Sequence, residues 1–138
     1  TSETLIHRSS SNPSSSLLPM GTLHKELYPR SSEHTDETIQ VERLDDIFIN
    51  TILEKPILIK IDVQGFEGNV IKGGEHVLSE ADVVLVENSF TSLYDGQLLF
   101  GDIHALLRNM GFSYHGRSET HYNMKTGEPI YEDSVFIR

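Results

Sequence analysis

A chain of 138 residues is one domain's worth of sequence, and its formal net charge of -10 argues against wrapping around nucleic acid or lying on an anionic membrane, since both need clustered Lys and Arg. The absence of cysteine excludes disulfides, zinc thiolate sites and thiol catalysis, and fits a reducing, cytoplasmic setting. Apolar residues make up 37%, with the deficit in the first third. No apolar run approaches the roughly 20 residues of a membrane span, and the polar opening TSETLIHRSS lacks the apolar core of a signal peptide.

Residues 1–38 read as mostly loop. The segment SSSNPSSS at 9–16 is low in complexity, its serines compete with the backbone for hydrogen bonds, and Pro13 has no donor for a ladder. Leu17, Leu18 and Met20 are the only docking signal there. From Ile39 order is expected to set in. IQVERL alternates as a short strand would, and Asp45 and Asp46 open a helix whose apolar face is Leu44, Ile47, Phe48 and Ile52.

After Pro56, residues 57–63 form a run that is apolar apart from Lys60 and ends in Asp62 and Val63, the mark of a parallel strand covered by helices on both faces. Phe66, Val70, Val77 and Ala81 then recur at helical spacing, and Gly73-Gly74 is expected to bend or interrupt that helix. A second buried strand covers 82–87. Beyond a loop to Gly101, Asp102 caps a helix with the buried stripe Ile103, Leu106, Leu107 and Met110, ended by Gly111. Residues 112–116 and 134–137 read as a closing antiparallel pair joined by the long polar stretch RSETHYNMKTGEPIYED.

This order specifies an α/β sheet with crossover helices and an antiparallel C-terminal strand pair. In open parallel sheets ligands sit beyond the carboxyl ends of the strands, so Asp62 and Glu87, each closing a buried strand, are expected side by side at a ligand edge. An aspartate in that position serves either a ligand or the cap of the following helix.

The motifs LDDI at 44–47, IKIDVQGFEGNVIKGG at 59–74 and VVLVEN at 83–88 stand in the order and spacing of the FkbM-type S-adenosylmethionine-dependent methyltransferases, which the chain resembles over residues 39–138. Gln64 and Gly74 depart mildly from the family's commonest letters. The resemblance implies a Rossmann-like methyltransferase sheet with S-adenosylmethionine as cofactor and a small-molecule acceptor bearing a hydroxyl, on a sugar or secondary metabolite. It also implies a glycine-rich turn after the first strand, and no G-x-G occurs in this sequence. The expectation is therefore a partial sheet, the carboxyl-terminal part of the domain, with residues 57–63 exposing an edge that invites self-association.

Methyl transfer asks the protein to align acceptor oxygen, methyl carbon and sulfur and to take up the hydroxyl proton. By position, Asp62 and Glu87 are the catalytic candidates. Asp62, Val63 and Gln64 are candidates for lining the cofactor, and Asn88 and Tyr94, with Phe100, for holding the acceptor. Glu67 is assigned to the helix dipole; His104, His115 and His121 show no metal-ligand spacing and read as surface or satisfied residues, of which His115 and His121, near the last strands, are distant proton-acceptor candidates. Asp62, Glu87 and Asn88 together offer three of magnesium's six oxygen ligands, but the chemistry does not require a metal and none is assigned. Two other readings remain open: a non-catalytic binding remnant of the same fold, and a nucleotide-binding Rossmann-like enzyme, against which the missing phosphate-cradling loop counts equally.

Overall fold

The computed structural model describes residues 1–138 as two sheets with helices against the larger one. Strands β1 (Ser2–Ser9) and β2 (His34–Val41) pair antiparallel as a separate two-stranded sheet. A short helix α1 (Thr22–Leu27) lies between them, and α2 (Leu44–Ile47) follows. The larger sheet is built from β3 (Leu58–Ile61), β4 (Val83–Ser89), β5 (Ser113–Tyr122) and β6 (Pro129–Ile137), in the spatial order β3-β4-β6-β5. Three helices serve it: α3 (Glu67–Gly73), α4 (Glu75–Ser79) and α5 (Phe100–Asn109).

As the two apolar runs and their connecting helix require, β3 and β4 are parallel neighbours, with Leu58 opposite Val83 and Ile61 opposite Val86. The connection is broken at Gly74 into α3 and α4. A side chain at Gly74 would collide with Leu44, whose Cδ2 lies 2.9 Å from the Cβ position, so the glycine allows LDDI to pack against the break. Asp45 then caps α4, its carboxylate accepting the N–H groups of Val77 at 3.0 Å and His76 at 3.2 Å. Asp102 acts one turn away from its expected position, because α5 starts at Phe100 and the carboxylate reaches back to the Leu99 N–H. Gly111 adopts φ +90° beyond the end of α5, as a terminating glycine does.

The core consists of Ile61, Ile71, Leu78, Ala81, Val84, Val86, Ile103, Leu107, Phe112 and Phe136. Val84 and Val86 share one face of β4, so α3, α4 and α5 all pack on that side. This corrects the expectation of helices on both faces: Leu58 is 63% exposed on the other face, and β3 forms one edge of the sheet. The open face carries Lys60, Asp62 and Glu87.

Three further expectations are corrected. Residues 1–38 are not mostly loop, since β1 pairs along its whole length with β2 and the intervening serines make specific bonds, Ser9 Oγ to the Ser31 carbonyl at 2.7 Å among them. The helix expected to bury Ile47, Phe48 and Ile52 has four residues, too short to bring positions a turn or two apart onto one face, and Ile52 is 92% exposed. The long polar connection near the C-terminus is mostly strand: β5 and β6 extend to a tight turn at 123–128, where Asn123 Oδ1 accepts the Lys125 N–H at 2.9 Å. Bulges interrupt their register, for example between Tyr114 and Gly116, which hides the alternation that would otherwise mark the strands.

Candidate active site

The turn after β3 is held from three sides. Gln64 adopts φ 52°, sparsely populated by non-glycine residues, and Gly65 follows at φ +93° with the Tyr94 Cβ only 2.9 Å from where its own Cβ would stand. Glu67, at the start of α3 and buried, accepts the Gly65 N–H at 3.0 Å and the Val63 N–H at 3.3 Å through one carboxylate oxygen. These contacts brace the turn, a role beyond the helix-dipole one expected from its position. Burial pushes its carboxyl above the usual range, against the lowering effect of those N–H donors. On the N-terminal side, Ser16 Oγ donates to the Gln64 carbonyl at 2.5 Å.

This turn joins the two carboxylates. The Gln64 side-chain amide donates to Asp62 Oδ1 at 3.0 Å and to Glu87 Oε1 at 3.3 Å, while its Oε1 lies 3.0 Å from the Tyr94 hydroxyl. Asp62 is also held by Lys60 Nζ at 3.2 Å. Burial, then the neighbouring carboxylates of Asp62, Glu67 and Asp133, push Glu87 up to about 7. One of the pair is thus poised to exchange a proton near neutrality.

Asp62, Gln64 and Glu87 open into a cavity of about 570 Å³ whose opposite wall comes from the segment expected to be loop, with Ser14, His24, Tyr28, Arg30 and Ser31. Leu93 and Tyr131 complete it. The segment is held by the Gly21 N–H on the Leu93 carbonyl at 2.9 Å and the Asp95 N–H on the Pro19 carbonyl at 2.8 Å. The Leu17, Leu18 and Met20 cluster was the one sequence signal for this docking, and Leu18 does pack beside Leu93 and Tyr94.

Not every candidate reaches the cavity. Val63 lines a separate, more apolar space of about 650 Å³ with Leu17, Ile39, Phe66 and Val70. Asn88 alternates with Glu87 and therefore points to the opposite, buried face, where neither of its side-chain polar atoms finds a partner. The expected cluster of Asp62, Glu87 and Asn88 does not form, and the magnesium triad loses its third donor. Tyr94 is 1% exposed and is not part of this cavity's lining. Its hydroxyl lies within 3.2 Å of the Ser14 carbonyl and 3.3 Å of His24 Nε2, a post beneath Gln64. Burial keeps His24 below the ordinary histidine range, favouring the neutral ring. Phe100 stacks on Phe90 and His104, away from the cavity lining. His115 is exposed on β5, and His121 stacks on Tyr131 at 4.3 Å between ring centres, behind the cavity wall.

The family model described as Methyltransferase FkbM domain matches residues 1–114. The chain belongs to this family. The match takes in β1 and the serine-rich segment, which precede the 39–138 span of the resemblance, and it stops at residue 114, before most of β5 and all of β6. A curated relative, 2-O-methyltransferase NoeI of Sinorhizobium fredii (strain NBRC 101917 / NGR234), is 41% identical over 61 residues, covering 44% of this chain and 25% of that protein. The chain therefore spans about a quarter of the length of the curated relative it matches. No solved structure matches the chain.

Proposed function

We propose that these residues are the proton-accepting part of an S-adenosylmethionine-dependent O-methyltransferase acting on a hydroxyl of a sugar or secondary metabolite, the carboxyl-terminal part of a Rossmann-like domain. The observation that carries this reading is the Asp62–Gln64–Glu87 bridge just past the β3–β4 pairing, with the Glu87 carboxyl pushed up to about 7. The hydroxyl acceptor is supported by family membership and by the 2-O position in the relative's name.

When bound, S-adenosylmethionine supplies an electrophilic methyl carbon on a cationic sulfur. The residues present suit such a cation, since two carboxylates line this face, with Lys60 beside Asp62 and Arg30 on the opposite wall as the nearby cations. Asp62 and Gln64 would hold it from the cavity and Val63 from the apolar space that shares the turn. The glycine-rich turn is not among these residues, so in this reading it is supplied elsewhere in the whole protein.

Glu87 is the base. Above about pH 7 it is ionised and can accept the acceptor's hydroxyl proton through Oε1 or Oε2, while Gln64 fixes its orientation. Asp62 lies beside it, tied to it through Gln64, and Tyr28 and Tyr131 give the cavity flat walls for a ring-shaped acceptor. A cytoplasmic setting belongs to the same reading; no helix here is long and apolar enough to cross a membrane. In the isolated chain the open edge of β3 would favour self-association.

The test is transfer of a labelled methyl group from S-adenosylmethionine to a panel of sugars and small hydroxyl compounds by the whole polypeptide containing these residues, with the variants D62N and E87Q. Transfer that drops about 100-fold or more in E87Q supports the base. No transfer to any acceptor supports the non-catalytic remnant, and transfer undiminished in both variants removes these carboxylates from the mechanism.

A further inference from the structure

On the β1–β2 hairpin, away from the cavity, three ligating side chains meet. We propose that His7, His34 and Asp36 bind one divalent transition ion of zinc's type, and that the ion clamps this hairpin. The register makes the site: His7 stands directly opposite Asp36 and Ser9 opposite His34, so His7, His34 and Asp36 share one face, and a slip by one residue would separate them. Their donor atoms lie within 4.8 Å of one another. His7 Nδ1 is 2.7 Å and His34 Nε2 3.7 Å from Asp36 Oδ1. Two ligands on a tetrahedral zinc, each about 2.0–2.2 Å from it, stand about 3.3–3.5 Å apart, so small rotamer adjustments bring all three into range.

A second observation concerns the second histidine's tautomer. His34 Nδ1 faces the Ser32 carbonyl at 3.4 Å, and a ring that donates there presents an unprotonated Nε2 towards the Asp36 carboxylate. A cation placed between that nitrogen and the carboxylate, whether a proton or a metal ion, satisfies both. No Lys or Arg supplies one, for the ion-pair partners of Asp36 are these two imidazoles, while Arg8 pairs with Glu37. Two imidazoles and one carboxylate are a donor set for zinc, cobalt or nickel rather than magnesium or calcium. His34 and Asp36 are solvent-accessible and His7 partly so, leaving a route for entry and positions for water.

An isolated two-stranded hairpin is marginal in water. Here His7 also exchanges backbone hydrogen bonds with Ser16, 2.8 Å and 3.2 Å long, and Ser16 in turn holds the Gln64 carbonyl. The ion would thereby stiffen the strand from which the turn after β3 is braced. Sequence inspection misses the site because His7 and Asp36 are 29 residues apart and meet only through strand pairing.

The experiment is calorimetric titration of zinc chloride at about pH 8 into the tag-free chain after dialysis against a chelator, repeated with cobalt to read ligand-field absorption. The expected result is one zinc per chain with a dissociation constant of about 10 µM or tighter, and a rise in Tm with zinc concentration. H34Q, D36N and H7Q should each weaken binding by about tenfold or more while far-UV circular dichroism shows the fold retained, and H115Q should not change it. The proposal is overturned by the absence of saturable binding up to about 100 µM zinc, or by affinity that persists in whichever of the three variants fold.

Discussion

Replacing Glu87 by Gln keeps the side chain's shape and its place beside Gln64 but removes the charge that the cavity edge disfavours. Burial and the carboxylates of Asp62, Glu67 and Asp133 move Glu87 from the 4.5 of a free glutamate to about 7. At about 1.36 kcal/mol per pH unit that corresponds to roughly 3 kcal/mol of native-state cost once the group is ionised, and to about 2 kcal/mol after allowing for residual solvent access and coupling to Asp62. The direction follows from linkage. A folded-state value above the unfolded one means that the stability is intact below about pH 4.5 and is lost as pH rises through about 7. E87Q and the parent should therefore unfold at the same urea concentration near pH 4.5, and E87Q should be more stable by about 2 kcal/mol at pH 8. Urea titrations at a series of pH values, followed by far-UV circular dichroism, measure this. A difference between the two proteins that stays within about 0.5 kcal/mol across that range would refute the placement of Glu87 among carboxylates at a half-buried strand end.

Catalysis should follow the same ionisation in the opposite sense: methyl transfer by the whole protein should rise as pH increases through about 7, and a log rate flat from pH 5 to 9 would exclude Glu87 as base. G65A should destabilise by about 2–4 kcal/mol, because alanine disfavours φ +93° and its Cβ would meet the Tyr94 ring; a thermal melt within about 1 °C of the parent would contradict this. D45A removes the carboxylate that caps α4 and should cost about 1–2 kcal/mol in urea denaturation, without effect on ligand binding. The isolated 138-residue chain should show no micromolar isotherm with S-adenosylmethionine in calorimetry, since Asp62 and Gln64 offer only part of the polar contacts a charged cofactor needs, and a clean one-site isotherm would overturn that.

What the sequence determined by itself was local or periodic. The apolar runs before Asp62 and Glu87, separated by one helical stretch, dictate a parallel pair, and the structure has β3 and β4 in that arrangement, with Asp62 just past β3 and Glu87 one residue past the last β3–β4 pair, although β4 itself continues to Ser89. Gly73-Gly74 marked the break between α3 and α4, and the motif from 59 to 74 pointed to the FkbM family. What only the tertiary structure decided depends on partners distant in the chain. The strand parity that turns Asn88 into the core while Glu87 faces the cavity was legible in principle, but which face would be left open was set by α3, α4 and α5 packing on one side. The serine-rich segment became the far wall of the site because Gly21, Ser16 and Pro19 find backbone partners at Leu93, Gln64 and Asp95, contacts that composition does not encode. His7, His34 and Asp36 converge for the same reason: strand register sums many weak backbone and side-chain choices, and only the folded chain shows which residues it sets face to face.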